Sequence, residues 1–301
     1  MTSVRLNKSI KLSKRKFRDF IIKQVDKWLP FIYNAHANMF SDIAIKDIAK
    51  SAFIISPLET LGELERHIAK RQKGAYMRFG DGDIYLAIGK NDLYQKGEKL
   101  LSEEMNEAFA MRGSGIFKSL IIHSSVYGYE KEMFFGNHLV TDDEANKLLR
   151  PVYHYFIGYK IYSPVALHYA AAYHTELANS FLKLLKSHAI LFIGNEDVPE
   201  EITTKLFGKV KHVKTPSKHS YTRIDEIEME AKKELEKENK FGVVIVSMGC
   251  SGRVLIKRLY CNNKNIFYFD FGSLLDGIIG NYTRTWLKKT DIDYNLLLKD
   301  I

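Results

Sequence analysis

Val243-Val244-Ile245-Val246-Ser247-Met248-Gly249-Cys250-Ser251-Gly252-Arg253 is the stretch from which the fold can be read. Four β-branched residues run without alternation, as a strand covered on both faces requires. A loop of small residues follows, and Gly252 to Tyr260 then reads as a short helix. A helix beginning there leaves its first N–H groups free to hold an anion. The same kind of short run, rich in Val, Ile, Phe and Tyr, recurs at Ala75–Phe79, Leu120–His123, Lys160–Ser163, Ala189–Ile193, Val210–Val213 and Ile266–Asp270. Helical signals fall between the runs. Thr141-Asp142-Asp143-Glu144 has capping-box spacing, Pro199-Glu200-Glu201 suits a first turn, and Ile224 to Lys240 is amphipathic. Strand–helix alternation of this kind predicts an α/β fold, a mostly parallel sheet flanked by helices with right-handed crossovers. We expect one Rossmann-like domain over residues 61–301, preceded by a helical extension over residues 1–60.

Composition agrees. The chain has 301 residues, 46% apolar and 12% aromatic, which is enough for a substantial core and argues against disorder. No apolar run approaches the ~20 residues of a membrane-spanning helix, and no secretory signal is read near Met1. The two cysteines, Cys250 and Cys261, form no CxxC pair, so a reducing cytoplasm is expected. The net charge of +9 is local: nine basic residues face two acidic ones in residues 1–30, leaving 36 against 34 elsewhere. A nucleic-acid enzyme would spread that charge along a binding face, so no nucleic-acid partner is expected. Within the basic segment, Phe17, Phe20, Ile21, Val25, Trp28 and Leu29 recur at helical spacing before Pro30. Such a helix suits an anionic membrane surface, which would make the protein peripheral on the inner face; the alternative is that the stripe packs on the protein's own body.

Ligands of such sheets bind beyond the carboxyl ends of the strands. At the end of the first long run stands Met77-Arg78-Phe79-Gly80-Asp81-Gly82-Asp83-Ile84. Two carboxylates two positions apart on a glycine turn can share one hard cation, Mn²⁺ or Mg²⁺, which offsets charge on a leaving diphosphate. Arg78 and the backbone at Gly80 could add phosphate contacts. The Ser247–Arg253 loop offers Ser247, Gly249, Ser251 and Gly252 for a diphosphate, yet matches neither GxxxxGK[ST] nor GxGxxG. Asp270 ends a strand and Asp276 follows six residues later, so either can serve as general base on an acceptor hydroxyl or as a helix cap. Asn195 and Lys218 follow two further strands, where a base, ribose or phosphate could be read. The ten histidines show no HExxH pattern, so no zinc hydrolase site is read.

Arg78 to Asp83, Val243 to Leu259 and Phe269 to Asp276 together resemble bacterial glycosyltransferases of the GT-D fold, over about residues 60–285. The family carries an RFGDGE-type segment and a later "DiG" segment. Here the second acid is Asp83 rather than Glu, and Ser273 stands where the family often has His. The resemblance implies transfer of a sugar, retaining or inverting, from a nucleotide-diphosphate donor to a glycan or lipid-linked acceptor, as in bacterial surface polysaccharide or glycoconjugate synthesis. It implies metal at Asp81 and Asp83, and donor contacts at Arg78 and the Gly249–Gly252 loop. Two alternatives are another Rossmann-like transferase, such as an S-adenosylmethionine methyltransferase, and a non-catalytic adaptor recruited to membranes. Strict Mn²⁺ or Mg²⁺ dependence separates the first from a sugar transferase, and donor turnover excludes the second.

Overall fold

The computed structural model describes residues 53–120, 149–261, 265–282, 287–288 and 290–301. The basic segment at the start and the Thr141 capping box lie outside them.

Six parallel strands form the main sheet in the order β3-β2-β8-β7-β5-β6. They are β2 (Gly74–Phe79), β3 (Ile116–Leu120), β5 (Ala189–Asn195), β6 (Lys211–Thr215), β7 (Gly242–Ser247) and β8 (Ile266–Asp270). A separate parallel pair, β1 (Phe53–Ile54) and β4 (Lys160–Ile161), meets the main sheet through a bridge between Ser119 and Tyr162. Alternate residues of the central strands enter two cores. Met77, Phe79, Val244, Val246 and Tyr268 pack on one face. Tyr76, Val243, Ile245, Phe267 and Phe269 pack on the other. Burial on both faces is why these strands read as continuous apolar runs rather than alternating ones. On the edge strand β6, Lys211 and Lys214 are exposed, and such charge discourages pairing with another chain.

The first face is covered by α2 (Asp81–Ala87), α3 (Lys99–Ala110), α7 (Ile224–Leu235) and α8 (Ser251–Tyr260). Helices α1 (Pro57–Ala69), α4 (Ala166–Tyr173), α5 (Thr175–His188), α6 (Glu200–Phe207) and α9 (Leu274–Ile278) cover the second. Ser56 opens α1 with a reciprocal capping box to Glu59. Helix α7 ends five residues earlier than its charge pattern suggests, because Leu235 is its last buried position.

Two strands differ from expectation. Ahead of the strand expected at Leu120–His123, of which residues 121–123 lie outside the described residues, a strand runs over Ile116–Leu120, hidden in the sequence by Lys118, which is buried at 4% exposure. Its ammonium donates to the carbonyls of Phe109 (2.5 Å) and Tyr155 (3.0 Å), and no carboxylate among the described residues pairs with it. Lys160–Ser163 was expected in the main sheet, but its strand portion, Lys160–Ile161, pairs with Phe53–Ile54 instead.

Candidate active site

The order of the sheet brings the carboxyl ends of β2, β8 and β7 side by side. Four buried charges meet there. Asp270, the last residue of β8, accepts the backbone N–H of Arg78 at 3.1 Å and lies 4.0 Å from that guanidinium. Arg253, in the first turn of α8, approaches Asp270 at 3.2 Å and Asp83 at 3.5 Å. Its Nε donates to the Arg78 carbonyl at 2.7 Å, and its Nη1 and Nη2 donate to the carbonyls of Gly249 and Arg78. The two cations thus balance two anions in a place where an unpaired charge would be costly. Burial opposes the charge of Arg253, but Asp270 and Asp83 offset it and hold its proton more tightly than usual.

Arg78 turns toward the second core. Its Nε donates to the Pro164 carbonyl at 2.5 Å, and Nη2 lies 3.2 Å from His168 Nε2. Burial and then the nearby Arg78 push the His168 imidazole well below its ordinary range, so the neutral ring accepts from Arg78. Gly272 makes room for this guanidinium. Its φ of +72° is left-handed, and a Cβ there would fall 1.3 Å from Arg78 Nη1. The glycine of Asp270-Phe271-Gly272 is therefore required twice, by backbone and by space.

The acid pair divides its labour. Asp81 is exposed, and its Oδ1 accepts the Gly82 N–H at 2.9 Å. Asp83 is buried at the start of α2, where Oδ2 accepts the Gly80 N–H at 2.8 Å. Burial pushes the Asp83 carboxyl up to about 6, against the pull of Arg253 and the Gly80 N–H. Its Oδ1 lies 3.5 Å from Arg253 Nε and accepts no hydrogen bond among the described residues. A carboxylate oxygen that accepts no hydrogen bond, two positions from an exposed carboxylate, fits a Mn²⁺ or Mg²⁺ ion, which typically takes one or two protein carboxylates and completes its shell with phosphate oxygens and water. No group of three or more His, Cys, Asp or Glu gathers among the described residues, so the set suits an ion shared with a substrate rather than an all-protein cage. Gly82 is glycine because a Cβ would stand 2.6 Å from Asp92 Oδ1.

Above the strand ends lies a cavity of about 310 Å³. Of the residues expected at the site, Arg78, Asn195, Ser247, Gly249, Ser251, Asp270 and Asp276 line it. Gly80, Asp81, Asp83 and Gly252 lie outside the lining, the first and third joined to each other and the last bonded to the Gly249 carbonyl. Lys218 is exposed and also outside the lining; the wall there is made by Ser217 and His219. Asp270, held by Arg78 and Arg253, acts as an anchor between two guanidinium groups, which takes it out of the role of a free base.

Three wall residues carry no motif. Gln95, at 3% exposure, accepts the Tyr221 N–H at 3.2 Å and the Ser251 hydroxyl at 3.3 Å, tying three segments of the wall together. His219 adopts a left-handed φ of 54°, donates its N–H to the Tyr94 carbonyl at 2.9 Å, and accepts the Lys96 N–H on Nδ1 at 3.3 Å. The third is Thr215, at the end of β6, which is fully buried. A non-glycine residue in left-handed backbone is uncommon and often marks a functional wall.

A parallel α/β sheet with a polar, charge-balanced cavity over its central strand ends has its candidate site where sheets of this class bind their ligands. The Glycosyltransferase GT-D fold family matches residues 76–276, and the chain belongs to it. It is therefore a glycosyltransferase, and the methyltransferase and adaptor alternatives give way. No curated protein matches the chain. Among solved structures it is similar to a glycosyltransferase (DUF1792) from Streptococcus sanguinis, with 16% identity over 83% of this chain and 93% of that one and a TM-score of 0.57. A second, described as the highly conserved domain of unknown function 1792 with a distinct glycosyltransferase fold, gives 16% identity, 83% and 88% coverage and a TM-score of 0.57. A selenomethionine-substituted structure of the same domain gives 17% identity, 79% and 82% coverage and a TM-score of 0.58. These likenesses carry the fold.

Proposed function

We propose that the enzyme moves a sugar from a nucleotide-diphosphate sugar to a glycan or lipid-linked acceptor in the synthesis of bacterial surface polysaccharide or glycoconjugate, with Asp81 and Asp83 holding Mn²⁺ or Mg²⁺. The observation that carries this reading is the Asp81 and Asp83 acid pair on the turn after β2, joined through Arg253 to a cavity lined by Ser247, Gly249 and Ser251 at the amino end of α8. When bound, the ion supplies positive charge against the leaving diphosphate. The chain supplies the rest. The amino end of α8, with Ser247 and Ser251, holds the diphosphate through the helix dipole, the Gly252 and Arg253 N–H groups being bonded to the carbonyls of Gly249 and Cys250. Arg78, fixed by Pro164, His168 and Asp270, adds a guanidinium at the cavity wall. Asp276, which lines the cavity close to Ser273 and Asn281, takes the proton of the acceptor hydroxyl as that oxygen attacks the anomeric carbon and the nucleoside diphosphate departs. The basic segment of residues 1–30 brings the enzyme to an anionic bilayer, where a lipid-linked acceptor resides.

Release of nucleoside diphosphate from a panel of nucleotide sugars, measured with Mn²⁺ and with EDTA, tests the reading. Turnover with the metal alone supports it; equal turnover in EDTA removes the metal from the account.

A further inference from the structure

The charged residues of the cavity are confined to one end. Arg78, Arg253, Asp270 and Asp276 all come from β2, α8, β8 and the segment after it. The opposite end, over β5 and β6, is built from Asn195, Thr215, Pro216 and Ser217 and carries no formal charge. Three inter-strand steps separate β8 from β6, roughly 14 Å at the usual spacing. A nucleotide sugar has the same asymmetry: an anionic diphosphate at one place and an uncharged heterocycle with several hydrogen-bonding atoms well away from it.

Thr215 adds a second observation. It is fully buried, lines the cavity, and its hydroxyl oxygen has no hydrogen-bond partner among the described residues. Buried hydroxyls are normally satisfied, and leaving one unpaired disfavours the ligand-free fold. Next to it, in register on β5, Asn195 uses its Oδ1 to accept the Asp197 N–H at 3.2 Å, which leaves the donor side of its amide for another group. An orphan hydroxyl and an amide donor side by side suit the edge of a base, and the cations that would hold a phosphate lie at the other end. Resting on the nucleotide-sugar reading, we infer that the nucleoside half of the donor lies over the ends of β5 and β6 and that Thr215 is a specificity-determining contact to its base. Discrimination at such a site comes from a polar group that a wrong base leaves unpaired.

Thr215→Val replaces the hydroxyl by a methyl of similar shape. Calorimetric titration of the full chain with UDP, CDP, ADP, GDP and inorganic diphosphate, in Mn²⁺, reads the result. The inference expects the Val variant to melt no lower than the parent, to bind the preferred nucleotide roughly three- to tenfold more weakly, to discriminate less among bases, and to bind inorganic diphosphate unchanged. Thr215→Ser, which keeps the hydroxyl, is expected to bind as the parent does. Unchanged nucleotide affinity in the Val variant overturns the inference. So does an equal loss for nucleotide and inorganic diphosphate, which would put Thr215 at the phosphate end, or a Ser variant as weak as the Val one. A parent chain that binds none of the four nucleotides overturns the donor reading and this inference with it.

Discussion

Gly272→Ala isolates the packing that holds Arg78 in place. The substitution acts in two ways. It places a Cβ-bearing residue at φ +72°, and it puts that Cβ 1.3 Å from Arg78 Nη1, so the guanidinium must leave. The left-handed backbone alone costs about 1–2 kcal/mol. Expelling Arg78 abandons its bond to the Pro164 carbonyl, its contact with His168 and its ion pair with Asp270, and breaking a buried pair adds about 3–5 kcal/mol. The total expected is about 4–7 kcal/mol. Gly89, in the turn that ends α2, supplies the control: its φ is +73° and a Cβ there meets nothing within 4 Å. Gly89→Ala should therefore show the backbone contribution alone. Urea unfolding of the parent and both variants, with nucleoside diphosphate titration of each, gives the comparison. Gly272→Ala should lose several-fold more stability than Gly89→Ala and lose nucleotide binding, which Gly89→Ala keeps. Equal destabilisation of the two, with binding intact in both, refutes the reasoning.

Other consequences follow the same logic. Gly82→Ala drives a methyl to within 2.6 Å of Asp92 Oδ1 and should cost about 1–3 kcal/mol by overpacking, read as a lower urea midpoint. Burial, then Arg112, pushes the Lys118 ammonium down to about 7, so between pH 7 and the ordinary lysine range the unfolded chain binds more protons than the native one. The contribution of Lys118 to stability thus rises with pH across that window, and the stability of Lys118→Met relative to the parent should be most favourable near pH 6 and decline toward pH 10; a flat difference contradicts the assignment. Asp276→Asn should leave nucleotide affinity within about twofold while lowering the transfer rate by about 10²–10⁴; loss of both together would make Asp276 a binding or structural residue.

How much of this the sequence discloses depends on distance along the chain. Strands β5, β7 and β8 are legible because burial on both faces leaves an unbroken apolar run, and the Gly249–Gly252 loop follows from its small residues. Strand β3 is not, because a single lysine held by two carbonyls interrupts the pattern. The turn at Gly80–Asp83 is legible as an acid pair, but not the inward rotation of Asp83, which depends on Arg253 brought in by α8. Asp270 likewise reads as a candidate base until two distant arginines are seen to claim it. Gln95 and Thr215 give no signal at all, since a lone polar residue in a loop or at a strand end looks the same whether it faces water or a cavity. Gly272 stood within a recognised segment, yet its reason, the guanidinium of Arg78, is visible only in three dimensions.

The central claim is that a metal ion held by Asp81 and Asp83 is shared with the donor's diphosphate over the opening turn of α8. Mn²⁺ binding, followed by electron paramagnetic resonance of the free ion, tests it most directly when run with and without a nucleoside diphosphate on the parent chain and on Asp81→Asn. The account predicts weak Mn²⁺ uptake by the protein alone, uptake strengthened at least tenfold beyond that of the nucleotide in buffer when both are present, and loss of that gain in Asp81→Asn. Nucleotide that binds equally well in EDTA, or a gain that survives in Asp81→Asn, would contradict it.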